Sequence, residues 1–445
     1  MNSSNNKKEL RRKAILNDDL LPLLVKTSIP TIIGMLVMVI YNLTDTFFVG
    51  ILNNKSMTAA IGIVFSFMSF IQAIGFWFGY GSGNIMSKKI GENEEKEAEI
   101  ISSIGILFAI VIGILIAILS WFFVLPLSKF IGGSASENLL NFTVEYLKVI
   151  IISIPFGLYS ITLYNQLRLC GNVKDGMIGL LIGMAVNMVL DPVLMFVFKF
   201  SFIGAGYATL IGQITGCIVL TNLSEKNGNI AVDLKKARIN KNRVLAGGMP
   251  NFSRQSITSI ALILLNVVAA KYGDGVIAAL TISSRIVALA YMIMIGWGQG
   301  FQPICAMNYG AKQYDRVKKA FKFAVIGGTL FLIIAAILLY VFSEPLIKTM
   351  SNDNEVILVG SEILRMQCIT LPLLGYFAIS SMLMQNIGQY FWASIISISR
   401  QGIFYIPLLY ILSNILGQFG IYLLQPVADV LSFGLAVIVV RKICS

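Results

Sequence analysis

From Leu20 to the C-terminus, long apolar runs alternate with short polar breaks, and each run can cross a bilayer, which takes about 20 helical residues. The runs fall near 21–50, 57–87, 99–124, 139–167, 175–198, 202–223, 244–270, 275–309, 320–342, 356–386, 390–413 and 417–440. They predict twelve transmembrane helices. A cytoplasmic basic tail (1–19) precedes a six-helix lobe (20–223), a polar cytoplasmic linker (224–243) leads to a second six-helix lobe (244–441), and 442–445 form a short tail.

The two sets of six share a grammar. A shift of 219 residues lays Ala59 and Ala60 on Ala278 and Ala279, Gly79 and Gly81 on Gly298 and Gly300, and Gly91 on Gly310. The same shift carries Pro126 to Pro345 and Lys129 to Lys348, and a shift of 217 carries Pro155 to Pro372 and Gly171 to Gly388. Glycine and proline punctuate backbone geometry, so their alignment marks a repeated fold. Six is an even number, and both halves therefore start on the same side of the membrane. The expectation is an all-α polytopic membrane protein of two parallel six-helix bundles with pseudo-two-fold symmetry about the membrane normal. Such repeats carry substrate sites near mid-membrane and work by one bundle rocking against the other.

Composition agrees with a membrane solvent: 56% of the 445 residues are hydrophobic and 13% charged, against roughly 25% charged in soluble domains. The net charge of +12 raises the question of nucleic acid, and the placement of Lys and Arg answers it. With the N-terminus inside, 23 lie in cytoplasmic segments and 5 in external ones (Lys55, Lys129, Lys199, Lys271 and Lys348). This bias follows the positive-inside rule, places both termini in the cytoplasm of a multi-pass protein of the cell's inner (cytoplasmic) membrane, and leaves no nucleic-acid partner to invoke. The run from Leu20 to Val49 is too long for a cleaved signal and reads as a retained helix. Five scattered Cys and no His indicate neither a disulfide framework nor a metal knot. No GxxxxGK[ST] loop is present for ATP, and without His the usual zinc and Ser-His arrangements are missing, so an ion-coupled carrier is expected rather than an enzyme.

Charges at membrane depth are costly and tend to mark ion pathways. Asp45 lies in the first span within YNLTDTFFVG and Asp191 in the fifth within NMVLDPVLMF, at similar depth in the outer half of the first bundle. Tyr41 and Asn187 sit four residues before them, each on the same helix face as its acid, and Thr209 reaches the same level from the sixth span. This all-oxygen set suits a hard cation or a shared proton, so the coupling ion is Na⁺ or H⁺, with no other cofactor or metal. In the second half the acids map onto leucine or isoleucine, so the fold itself does not require them there. The alternative is that each Asp caps or bridges helices.

These residues carry a resemblance. The strings SIP and YNLTDTFFVG in the first helix, NMVLDP in the fifth, GAGYATLIGQ in the sixth, and the paired YGSGNIMSKKIGENEEKE and GQGFQPICAMNYGAKQYDRVKKA after spans two and eight resemble the multidrug and toxic compound extrusion (MATE) family along essentially the whole chain. The resemblance implies that Asp45, Asn187, Asp191 and Thr209 form a first-lobe cation site with Tyr41 in its hydrogen-bond network, and that Pro30 is a hinge in the first helix. Another branch of the family carries acids in the seventh and tenth helices. Here the seventh has Arg254 and the tenth only Glu362 and Arg365, so within the family the chain looks closer to the DinF-like or staphylococcal-type exporters. It implies a monomeric antiporter exporting organic, cationic or amphipathic drugs or toxins; the alternative is a flippase or exporter of anionic lipid-linked or acidic molecules.

Met35, Met38, Met292 and Met294, with Phe65, Tyr291 and Trp297, are candidates to line an adaptable cavity, or else pack in the core or against lipid. Gln72 and Gln299 are candidates for substrate contact or for interhelical bonds, because an amide in hydrocarbon needs a partner. Arg254, Arg285 and Arg400 either meet an anionic substrate, snorkel, or pair with helix ends.

Overall fold

A computed structural model describes residues 2–52, 54–226 and 241–444; most of the 224–243 linker lies outside the described residues, as do the side chains at 42, 43, 45 and 46. Among the described residues every regular element is a helix. A short polar helix α1 (Asn2–Asn17) precedes the spans α2 (Leu20–Ile51), α3 (Lys55–Gly91), α4 (Glu95–Phe122), and, after the short α5 (Val124–Phe130), α6 (Glu137–Leu169), α7 (Val173–Pro192) and α8 (Ser201–Lys226). The second half runs α9 (Lys241–Ala269), α10 (Asp274–Gly310), α11 (Tyr314–Val341), short α12 (Ser343–Lys348), α13 (Asn354–Thr370), α14 (Leu373–Asn386), α15 (Tyr390–Ile398), α16 (Tyr405–Leu416) and α17 (Gln418–Cys444).

Among the described residues eleven helical stretches are long and apolar enough to span, and α13 with α14, bent by 56° at the break, brings the number to twelve when the pair is taken as one span. Pro372 lies in the break; proline lacks an N–H and crowds the preceding turn, so the sequence itself interrupts this span. Two further spans carry π-helical segments, Val193–Val197 at the end of α7 and Ser399–Ile403 between α15 and α16.

The chain forms two compact units. The first holds Met1–Asp18, Ile33–Gly248 and Ala306–Lys312, and the second Asp19–Ile32, Met249–Cys305 and Gln313–Ser445. In the first, α6 is the central helix, packed on α3, α4, α7 and α8. The second is built around α13, α14 and α17, with a core that includes Ala261, Leu265, Ile363, Leu409 and Ala428.

Unit membership departs from the sequence halves at the starts of α2 and α9 and at the end of α10, and repeated glycines mark the first two departures. In the first unit, a Cβ on Gly81 of α3 would lie 2.0 Å from the Val244 carbonyl at the start of α9. In the second, a Cβ on Gly300 of α10 would lie 2.2 Å from Ser28 Oγ and 2.6 Å from its backbone. Each half thus receives the first helix of the other half against the glycine of its own second helix. On α2 the contact is sealed by Thr27, Ser28 and Thr31, whose hydroxyls donate to the carbonyls of Gly300 (3.0 Å), Trp297 (3.0 Å) and Gly296 (2.6 Å). Small residues and hydroxyl bonds are how helices approach closely where lipid provides no hydrophobic drive.

Candidate functional site

The site in the first unit begins with a glycine crossing between α7 and α8. A Cβ on Gly212 would lie 2.8 Å from the Gly183 carbonyl, and one on Gly183 2.9 Å from the Gly212 carbonyl. With the two backbones this close, Asn187 one turn beyond Gly183 meets Thr209 one turn before Gly212: its Nδ2 donates to Thr209 Oγ1 at 3.2 Å. Both are almost fully buried, and Asp191, one further turn along α7, is 0% exposed. Asn187 Oδ1 has no hydrogen-bond partner among the described residues, so the cluster presents a buried acceptor beside a buried carboxylate. Asp45 belongs to α2, and its side chain lies outside the described residues.

Tyr41, Asn187 and Thr209 face one cavity of about 120 Å³ inside the first unit, together with Met38, Gln72 and Phe65. Its wall is mostly apolar, with Met68, Phe76, Met184 and Leu180, and its polar edge is completed by Ser160, Gln213, Tyr146 and Tyr164. Few convergent polar groups in an apolar chamber is the usual make-up of a small-molecule site. Sequence reasoning missed Gln213, although it stands four residues after Thr209 on the same face of α8. Gly157 on α6 makes room for it, since a Cβ there would meet Gln213 Oε1 at 2.6 Å.

The other candidates are not gathered there. Met35 is buried in the first unit away from the cavity wall. Pro30 is buried on the stretch of α2 that belongs to the second unit. Tyr291, Met292, Gln299 and Arg254 also lie in the second unit: Gln299 is buried, Arg254 half-buried, Met292 exposed, and the Tyr291 ring lies under the Arg400 guanidinium at 5.1 Å. Asp429, unremarked in the sequence, receives the Arg400 Nε at 2.7 Å. Among the described residues no three His, Cys, Asp or Glu side chains cluster as a metal site.

The family profile described as MatE matches residues 30–193 and 250–411, one stretch in each half. The multidrug export protein MepA of Staphylococcus haemolyticus is 28% identical over 422 residues, covering 94% of this chain and 92% of that protein. A crystal structure of MATE in the bent conformation superposes with a TM-score of 0.91 at 21% identity, covering 97% of each chain. A MOP superfamily transporter from Pyrococcus furiosus, described as having a binding pocket of reverse polarity, superposes at 0.87 with 22% identity over 96% of this chain and 98% of that one.

Proposed function

The chain belongs to the MatE family of membrane transport proteins, and from that premise we propose that it is a secondary active exporter of small organic compounds, exchanging them for H⁺ or Na⁺ by alternating access. Its substrates are cationic or amphipathic, and it works in the cytoplasmic membrane with both termini inside. The coupling site is Asp191 with Asn187 and Thr209, completed by Asp45 and Tyr41, and the adjoining cavity is a substrate chamber.

The observation that carries this reading is the fully buried Asp191 one turn from Asn187, whose Oδ1 has no partner among the described residues and whose amide is tied to Thr209 at the cavity edge. A carboxylate removed from water is costly as a lone anion, and a proton or a cation held by several oxygens relieves the cost. A ligand shifts two conformations only by its differential affinity for them, so an ion that fills the site in one state and a substrate that occupies the chamber in the other drive each other's exchange. The relatives' multidrug export supports the substrate class.

The test is export of a fluorescent organic cation by proteoliposomes under independently imposed Na⁺ and H⁺ gradients. Asp191→Asn, at parental expression, is expected to lose uphill export while keeping its fold, because an amide neither takes up and releases a proton nor balances the charge of a bound cation. Parental uphill export by that variant would overturn the assignment.

A further inference from the structure

The second unit contains a charged cluster that the coupling site does not use. Arg400 stands on the π-helical segment Ser399–Ile403, ten residues in from Tyr390, and Asp429 eleven residues in from Gln418. At about 1.5 Å per residue, both sit roughly 15 Å from the span ends, near mid-membrane. Asp429 Oδ1 accepts from Arg400 Nε and from Gln425 Nε2, each at 2.7 Å, and its Oδ2 accepts from Thr370 Oγ1 at 3.3 Å. Thr370 is the last residue of α13, at the break of the bent span. A broken helix, a π-helical segment and an ion pair therefore meet at one depth. Interrupted helices at the midplane are where transporters build binding sites, and π-bulges concentrate at functional positions.

The repeat shows that the fold does not need these charges. The 217-residue shift that carries Val173 to Tyr390 and Ser201 to Gln418, the starts of corresponding helices, carries Gly183 to Arg400 and Gly212 to Asp429. In the first half those positions are the glycine crossing described above, closed by backbone contact. The second half places a guanidinium and a carboxylate there, in an environment where each ion is expensive.

Asp429 occupies only part of the guanidinium. Its one hydrogen bond among the described residues is through Nε, Tyr291 lies against its face, and the side chain keeps 13% exposure. The two terminal nitrogens carry four N–H donors in a planar fork, the geometry that grips a carboxylate through two parallel bonds. The pair is neutral as it stands, so a bare anion added at this depth would leave net buried charge. A zwitterion, whose own ammonium balances its carboxylate, would not. We propose that Arg400 is a mid-membrane recognition site for the carboxylate of zwitterionic amphiphiles, with Asp429 as the positioning residue that holds the fork open toward the ligand.

The proposal adds a substrate group to the exporter reading, and it is tested by binding alone, so its failure would leave the coupling assignment of Asp191 standing. The probes are Nε-dansyl-lysine, a zwitterion, and dansylcadaverine, which is the same molecule without the carboxylate. Each is titrated by fluorescence enhancement onto the purified full-length protein in lipid nanodiscs. The parent is expected to bind both. The double variant Arg400→Gln with Asp429→Asn removes both charges together and leaves no orphaned ion; it should bind dansyl-lysine about tenfold more weakly, the scale of one lost charge-assisted pair, and dansylcadaverine within about twofold of the parent. Arg400→Lys keeps the charge and loses the fork, and should weaken dansyl-lysine severalfold while sparing dansylcadaverine. Failure of the parent to bind dansyl-lysine, unchanged dansyl-lysine affinity in the double variant, or an equal loss of both probes in Arg400→Lys would each overturn the proposal.

Discussion

Thr209 offers the finest probe of the proposed coupling site, because its hydroxyl is the acceptor for Asn187 Nδ2. Thr209→Val preserves shape and removes that acceptor, so a buried amide loses its partner at a cost of about 1–3 kcal/mol. The expected outcome is an export rate several-fold below the parent, with a higher cation concentration needed for half-maximal rate. No change in that concentration would separate Thr209 from the ion site. Cys170, in the turn between α6 and α7, answers a different question. Burial pushes its thiol up to about 12 despite the nearby Arg11, against an ordinary value of about 8.5. Between those two values the folded chain keeps a proton that the unfolded chain releases, so this group's contribution to stability falls as pH rises through that window. At pH 8.5 an uncharged alkylating reagent should therefore modify Cys170 slowly in the native protein and rapidly once it is unfolded, read by mass spectrometry.

The helix contacts predict a sharp contrast between two glycines of the second unit. Gly300 is pressed against Ser28, whereas nothing lies within 4 Å of a Cβ built on Gly434 of α17. Gly300→Ala has no flexible side chain to displace, since the obstructing atoms include the Ser28 backbone, and overpacking of this kind costs about 1–3 kcal/mol. Gly434→Ala fills open space and gains helix propensity, up to about 1 kcal/mol. Thermal unfolding followed by intrinsic fluorescence should show a fall of several degrees for the first and none for the second. Equal melting would mean that α10 tolerates separation from α2.

At the scale of the whole molecule, the bias of 23 Lys and Arg in the segments expected to be cytoplasmic against 5 in those on the other side makes the proposed orientation testable. Asn352 is exposed in the loop between α12 and α13 and serves as the reporter. Asn54 is a poorer choice, because its side chain accepts from the backbone N–H groups of Ser56 and Met57 and caps α3, a contribution of about 1 kcal/mol. On a background with the five native cysteines replaced, Asn352→Cys should react with a membrane-impermeant maleimide in intact cells. Reaction only in inverted vesicles would reverse the assigned orientation.

Span number, helical class and family membership were legible in the sequence because they depend on local quantities: apolar runs of bilayer length, and prolines and glycines repeating at a fixed shift. The Asn187 and Thr209 pairing was legible too, since both residues stand at countable depths on adjacent helices. What the linear pattern could not supply was which helix face meets which. The repeated Gly81 and Gly300 announced close approach without saying that the partner would be the first helix of the opposite half, because that contact spans more than 160 residues and depends on how helices cross. Gln213 joined the cavity only through the space that Gly157 leaves. Arg400 was visible as an isolated intramembrane charge, but its acid, Asp429, sits 29 residues away on another span, and only packing brings a guanidinium and a carboxylate within 2.7 Å. Hydropathy records the transfer of each residue into the membrane, whereas recognition depends on side chains from several helices converging at one depth, and that convergence is a property of the tertiary fold.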